Sequence, residues 1–230
     1  MEIGDILKDL ERNVNDGRSS RFNLLEQKQQ DFAKLNQTWI SERTAPELLP
    51  YQKELVDSTL VRLRDQVEII EINSIELETT DADIKLKLLI IENEIERINF
   101  IIRSYLRCRL AKIDKFAAYI SYNSQTMIDR LSDGEIDYMT QHMKLLQELY
   151  SKCFLQDLPD HLQLLDDTSG GISMITEPNF DKFVFIKVVT GDAKPVRFND
   201  HEIVLEKDDI HTIQYKYIMK QLQQGDVVLI

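Results

Sequence analysis

At 230 residues, with 28 basic and 40 acidic side chains and a net charge of -12, the chain has room for one or two domains. It lacks the broad positive footprint that nonspecific DNA binding needs. An apolar share of 43% describes a globular chain rather than a disordered one, and only 7 Gly and 5 Pro point to long uninterrupted helices.

In chain order, MEIGDILKDLERN has no basic region followed by an apolar core, so no secretory signal is expected. No run of 18 apolar residues follows anywhere, so neither a membrane span nor a membrane partner is expected. Ile3, Ile6, Leu7 and Leu10 fall at i, i+3, i+4 and i+7, one face of a short amphipathic helix. The polar NVNDGRSS after it reads as a flexible tether. A second helix is expected from about Phe22 to Ser41. Asn36-Gln37-Thr38 is a chance match to the glycosylation triplet, and Cys108 and Cys153 are expected to be reduced thiols.

Thr44 to Glu47, TAPE, has capping-box spacing with Pro46 in the first turn, and predicts a helix from there to about Leu77 with a break near Pro50. Thr80 or Asp81 should cap a long helix over 82–121. SDGE, Ser132 to Glu135, should open another helix ending near Gln156. LPDHLQLLDDTSGGISMITEPN then changes the texture and reads as a linker over 158–180. KFVFIKVV, HEIVLEK, HTIQYKY and the terminal DVVLI are β-branched and aromatic, and read as strands. The expected fold class is α+β, mainly α. Residues 1–20 form a docking peptide and tether, 21–157 a long-helix helical A domain, and 181–230 a small β-rich B domain.

The long helix carries the most information. Ile84, Leu88, Ile91, Ile95, Ile98, Ile102, Leu106, Arg109, Ile113, Phe116 and Ile120 follow one another at spacings of three and four, a heptad seam with one stutter at Ile98–Ile102–Leu106. Arg109 is its single polar member. It lies in RSYLRCRLAKIDKF, residues 103–116, which also holds Arg103, Arg107, Lys112 and Lys115 against the one acid Asp114. On a helical wheel these cations do not share a face, whereas a DNA-reading helix needs them on one. Three readings of Arg109 are open: its stem packs while its head reaches water, it pairs with an acid on another helix or subunit, or it meets a phosphate. With Ile101, Tyr105, Cys108 and Phe116 the apolar arc exceeds one seam, which favours burial from several sides and a helical oligomer.

No constellation for catalysis is present. His142, His161, His201 and His211 stand apart, with no HxxxH, HExxH or Cys partner at metal spacing. Gly170-Gly171 lacks the strand, helix and Lys of a phosphate loop, GxSxG is missing, and Asp166-Asp167 and Asp208-Asp209 are neighbours in expected turns. No enzymatic activity, cofactor or metal is expected.

WISERTAPELL, SYLRCRLAKIDKF and the C-terminal FVFIKV, VLEKDDIHTIQYKYI and GDVVLI together resemble one family, the Sld-five branch of the GINS complex, over about residues 34–230. The resemblance implies a non-catalytic subunit of a heterotetramer with three sister GINS subunits. That tetramer joins the MCM ring and a second accessory factor in the CMG replicative helicase, in the nucleus, during initiation and elongation of replication. It also implies an A domain before a B domain. IGDILKDLE is similar to the peptide by which yeast members dock on a trimeric replisome hub that tethers polymerase alpha. The similarity lies at Asp5, Ile6, Leu7 and Leu10, with Gly4 departing where an acid would fit. Apart from the family, the same segment reads as a terminal helix. Tyr105, Leu106, Arg107, Arg109, Lys112 and Phe116 are the subunit-interface candidates. DNA contact is expected to be indirect at most, the alternative being a direct DNA-binding replication factor using 103–116.

Overall fold

The computed structural model describes residues 27, 29–76, 82–159, 163, 175–190, 195–198 and 201–230. The chain divides into Met1–Asn36 and Gln37–Ile230. In the first unit the described residues, 27 and 29–36, are helical. The docking-peptide residues Asp5, Ile6, Leu7 and Leu10, the Thr80 or Asp81 cap and most of the 158–180 stretch lie outside the described residues.

The second unit is α+β and mainly helical. Residues 37–44 (α1) are helical, followed by α2 (Lys53–Glu76), α3 (Ala82–Tyr122), the short α4 (Ser124–Met127) and α5 (Asp133–Cys153). After these come β1 (Phe183–Val188), β2 (Val196–Phe198), β3 (His201–Ile203), β4 (Ile210–Gln214), α6 (Tyr215–Gln224) and β5 (Val227–Leu229). At 41 residues α3 spans roughly 60 Å, and it departs from helical geometry at Phe116 (φ -113°, ψ 18°). Its seam is buried from Ile95 through Ile102, Ile113, Phe116 and Ile120, and Ile113, Phe116, Ala117 and Ile120 form one core with Leu48, Met127, Leu131 and Met139.

Ser132 starts α5 as expected. Its hydroxyl accepts from the Glu135 amide, while the Glu135 carboxylate accepts from the Ser132 amide. TAPE behaves otherwise. Thr44 Oγ1 donates to Ile40 O, closing α1 rather than opening α2, and residues 45–52 are not helical. Pro46 and Pro50 disfavour helical backbone at Ala45 and Leu49 before them, so α2 waits until Lys53.

β1 is the centre of an antiparallel sheet ordered β4-β1-β5, with Ile186 opposite both His211 and Leu229. β2 and β3 form a separate hairpin. Alternate residues of β1, Val184, Ile186 and Val188, face a core shared with Ile213, Ile218, Val227 and Leu229. HTIQYKY is strand only to Gln214. From Tyr215 the apolar residues Tyr215, Ile218, Met219 and Leu222 fall at i, i+3, i+4 and i+7, a helical period that prevails over the β-branched texture. Gly225, at φ 80°, ends α6, its amide donating to Leu222 O.

Candidate functional site: a buried charge network

Arg109 is 0% exposed. The heptad position that puts it on the α3 seam also aims it between α1 and α5, and the pairing it finds is with acids of this chain. Nε donates to Glu135 Oε1 at 2.7 Å and Nη2 to Glu135 Oε2 at 2.9 Å, a bidentate fork. Nη1 donates to Glu42 Oε2 at 3.1 Å and to Leu49 O at 2.7 Å, and Nη2 also to Arg130 O at 2.9 Å. Five bonds match the five donors of a guanidinium. The rings of Tyr51 and Tyr105 lie 5.3 and 5.7 Å from its central carbon. One turn on, Lys112 Nζ donates to Glu42 Oε1 at 2.7 Å, to Glu47 O at 2.7 Å and to Glu42 O. Arg130 Nη1 donates to Glu47 Oε2 at 2.7 Å and Leu48 O at 3.1 Å, and Tyr215 OH donates to Glu47 Oε1 at 2.7 Å.

The network thus balances Arg109, Lys112 and Arg130 against Glu42, Glu47 and Glu135, and it links α1, the 45–52 segment, α3, α5 and α6. Balance is what makes such burial tolerable, since an isolated buried charge is very costly. Burial works against the Arg109 charge, but the Glu135 hydrogen bonds and the Glu42 charge outweigh it and hold the guanidinium above its ordinary pKa. Burial lowers the Lys112 pKa against the pull of Glu42. Burial pushes the Tyr105 phenol up to about 12 and also raises that of Tyr215, which Glu47 raises further. Each cation of the network is engaged by carboxylates and carbonyls of this chain. Among the described residues no group of three or more His, Cys, Asp or Glu is arranged to hold a metal, and no helix is long and apolar enough to cross a membrane.

Of the six interface candidates, the structure brings Tyr105, Arg109 and Lys112 together in or against this network. Tyr105, Arg109 and Phe116 are buried by this chain's own elements. The middle of α3, apolar on several sides, is covered there by α1, the 45–52 segment and α5. Leu106 is half-buried, and Arg107 alone of the six is exposed. Glu42, Glu47 and Glu135 were not foreseen as partners of the cations. Glu135 was visible as a capping residue, and Glu42 and Glu47 sit in the quoted WISERTAPELL block, but sequence spacing does not show which acid a buried Arg will meet.

Elsewhere the helices leave apolar side chains uncovered. Val61, Val67, Ile69 and Ile72 on α2 and Leu86, Leu89, Ile90 and Ile91 on α3 are exposed, Leu86 at 57%. Leu145, Leu149 and Tyr150 do the same on α5.

Comparison with known proteins places these features in one family. Residues 65–154 match the GINS complex protein helical bundle domain, and residues 178–230 match the DNA replication complex GINS protein SLD5 C-terminus. The chain is 38% identical over its full length to the DNA replication complex GINS protein SLD5 of Yarrowia lipolytica, covering 87% of that protein. It is 37% identical over its full length to that of Debaryomyces hansenii, covering 98%, and 33% identical over 87% of its length to that of Schizosaccharomyces pombe, covering 92%. With both halves of the described fold matched, and relatives aligned along nearly all of it, the chain belongs to the SLD5 family of GINS proteins.

Proposed function

We propose that this chain is a structural, non-catalytic subunit of a GINS heterotetramer, built with three sister subunits and acting in the nucleus in chromosomal DNA replication. The tetramer joins the MCM ring and a second accessory factor in the CMG helicase. Residues 1–20 link that helicase to a trimeric hub that tethers polymerase alpha.

The observation that carries this reading is the apolar surface on α2 and the first half of α3. Large apolar side chains exposed along two helices suit a protein interface better than open water. Sister helical subunits are the cover that the family membership supplies. In this reading half-buried Leu106 and exposed Arg107 meet a sister subunit, while Tyr105, Arg109, Lys112 and Phe116 act from behind by fixing the helices. The direct DNA-binding alternative loses support, because Arg109 and Lys112 spend their donors inside the chain and the remaining cations Arg103, Arg107 and Lys115 sit in a chain of net charge -12.

Co-expression with the three sister subunits, followed by mass measurement of the purified complex, tests the proposal. One copy of each chain is the expected result. A chain that purifies alone as a monomer with a sharp cooperative melt overturns it.

A further inference from the structure

The C-terminal sheet and α6 own a core of their own: Val184, Ile186, Val188, Ile213, Ile218, Val227 and Leu229 bury one another. What fastens this module to the helical body is narrower. Ala45 enters its core and Leu49 packs against it. Gln37 Nε2 donates to Leu229 O at 2.7 Å, and Tyr215 OH donates to Glu47 Oε1 at 2.7 Å. Between these points the junction is not closed. A cleft of about 330 Å³ runs there, with Gln37, Leu49 and Pro50 on the body side and Met219 and Leu222 on the module side. The cleft opens to solvent, so its two walls face water there rather than one another. The junction is therefore held by a few fixed points rather than by continuous packing.

Glu47 is the fixed point that both sides share. One carboxylate oxygen takes the body's Arg130, the other takes the module's Tyr215. We propose that the C-terminal module is a docked, releasable unit, locked in its closed pose by Glu47 between Arg130 and Tyr215. Releasing the lock lets it swing as an intact body and uncovers Leu49 together with the Met219 and Leu222 side of α6. In this arrangement the Tyr215 hydroxyl and Glu47 are positioning groups: their bond sets the pose of the module, while the Tyr215 ring belongs to its core.

The test is a spin-label distance measurement on the full chain, with Gln141→Cys on exposed α5 and Thr212→Cys on exposed β4 in a Cys108→Ser, Cys153→Ser background. One narrow distance is expected for this parent. Tyr215→Phe removes one hydroxyl bonded to a carboxylate, and should shift the closed-to-open ratio by on the order of tenfold or more. The distance distribution broadens or splits, and Glu47→Gln should behave alike. Hydrogen exchange at the Val184 and Ile186 amides, inside the module, should remain as slow as in the parent. The proposal is overturned if both variants retain the single parental distance. It is equally overturned if the distance and the β1 protection are lost together, because the module then unfolds instead of swinging.

Discussion

Arg109→Leu removes the hub of the network while leaving a side chain of fitting polarity for the seam. Its consequences follow from what remains. Glu135 loses both guanidinium bonds, Glu42 loses one, and Leu49 O and Arg130 O each lose a donor. Glu42 keeps Lys112 and Glu135 keeps the Ser132 amide, so neither acid is wholly abandoned, but both are nearly inaccessible to water. Removing one partner of such a buried pair costs about 3–5 kcal/mol. That is a large part of the roughly 5–15 kcal/mol that separates folded from unfolded domains. For a chain of this size it corresponds to a melting temperature lower by about 6–20 °C. Urea unfolding of parent and variant, with slopes compared, measures it. Arg109→Leu combined with Glu135→Leu should recover part of the loss, since the double variant no longer buries the facing carboxylate of that pair. A loss under about 1 kcal/mol, the value for a guanidinium that reaches water, refutes the argument. So does a double variant whose loss is the plain sum of the two single ones.

Three further outcomes are expected. Ser132→Ala removes the acceptor for the Glu135 amide and should cost about 1 kcal/mol in urea unfolding, with α5 fraying at its first turn in hydrogen exchange. The Tyr105 phenol is raised from 10.0 to about 12 by burial, so the folded chain keeps this proton at a pH where the unfolded chain has lost it. Its contribution is complete below pH 10 and is lost as pH rises to about 12, roughly 3 kcal/mol in all. Lys112, lowered by burial, runs in the opposite sense, so the measurement is the difference between parent and Tyr105→Phe in unfolding free energy across that range. Finally, Ile6→Ala with Leu7→Ala should abolish binding to a trimeric hub and leave the tetramer intact. Normal hub binding by the double variant in a pull-down, or a tetramer that falls apart, removes residues 1–12 from that role.

The helices were legible where one periodicity acted alone. The α3 seam announces itself over eleven apolar or Arg positions because burial on one side repeats every three to four residues, and Ser132-Asp133-Gly134-Glu135 announces α5 because its two reciprocal bonds are local. Legibility failed where two signals overlapped. Thr44 to Glu47 has the spacing of a cap, yet two prolines and the C-terminal end of α1 claim the same residues. Tyr215 and Tyr217 carry strand texture, yet lie within a 3.6-residue apolar period. The network was legible only from one side. Arg109 on an apolar seam left a water-reaching head, an ion pair and a phosphate contact open, and the ion pair that forms spans 67 and 26 residues of sequence, to Glu42 and Glu135. Those distances are set by tertiary packing and leave no mark on spacing.

Two of the five cations in 103–116, Arg109 and Lys112, have a physical account that does not involve nucleic acid. Three elements converge on the middle of α3: the end of α1, the proline-rich 45–52 segment and the start of α5. The carbonyls that need donors there are those of Glu42, Glu47, Leu49 and, just before α5, Arg130, and each element brings one acid. Apolar side chains there would cover these elements but leave the carbonyls without donors, at about 1–3 kcal/mol apiece. An arginine and a lysine one turn apart supply eight N–H donors between them, enough to satisfy carbonyls and carboxylates together. Arg109 presents a rigid fork to Glu135, and this fixes the angle at which α5 starts. Lys112, on a flexible stem, gathers Glu42 and the Glu47 carbonyl and fixes the 45–52 segment. That segment in turn carries Glu47, whose carboxylate holds Arg130 and Tyr215. The cations of α3 therefore set, step by step, the positions of α5 and of the C-terminal module.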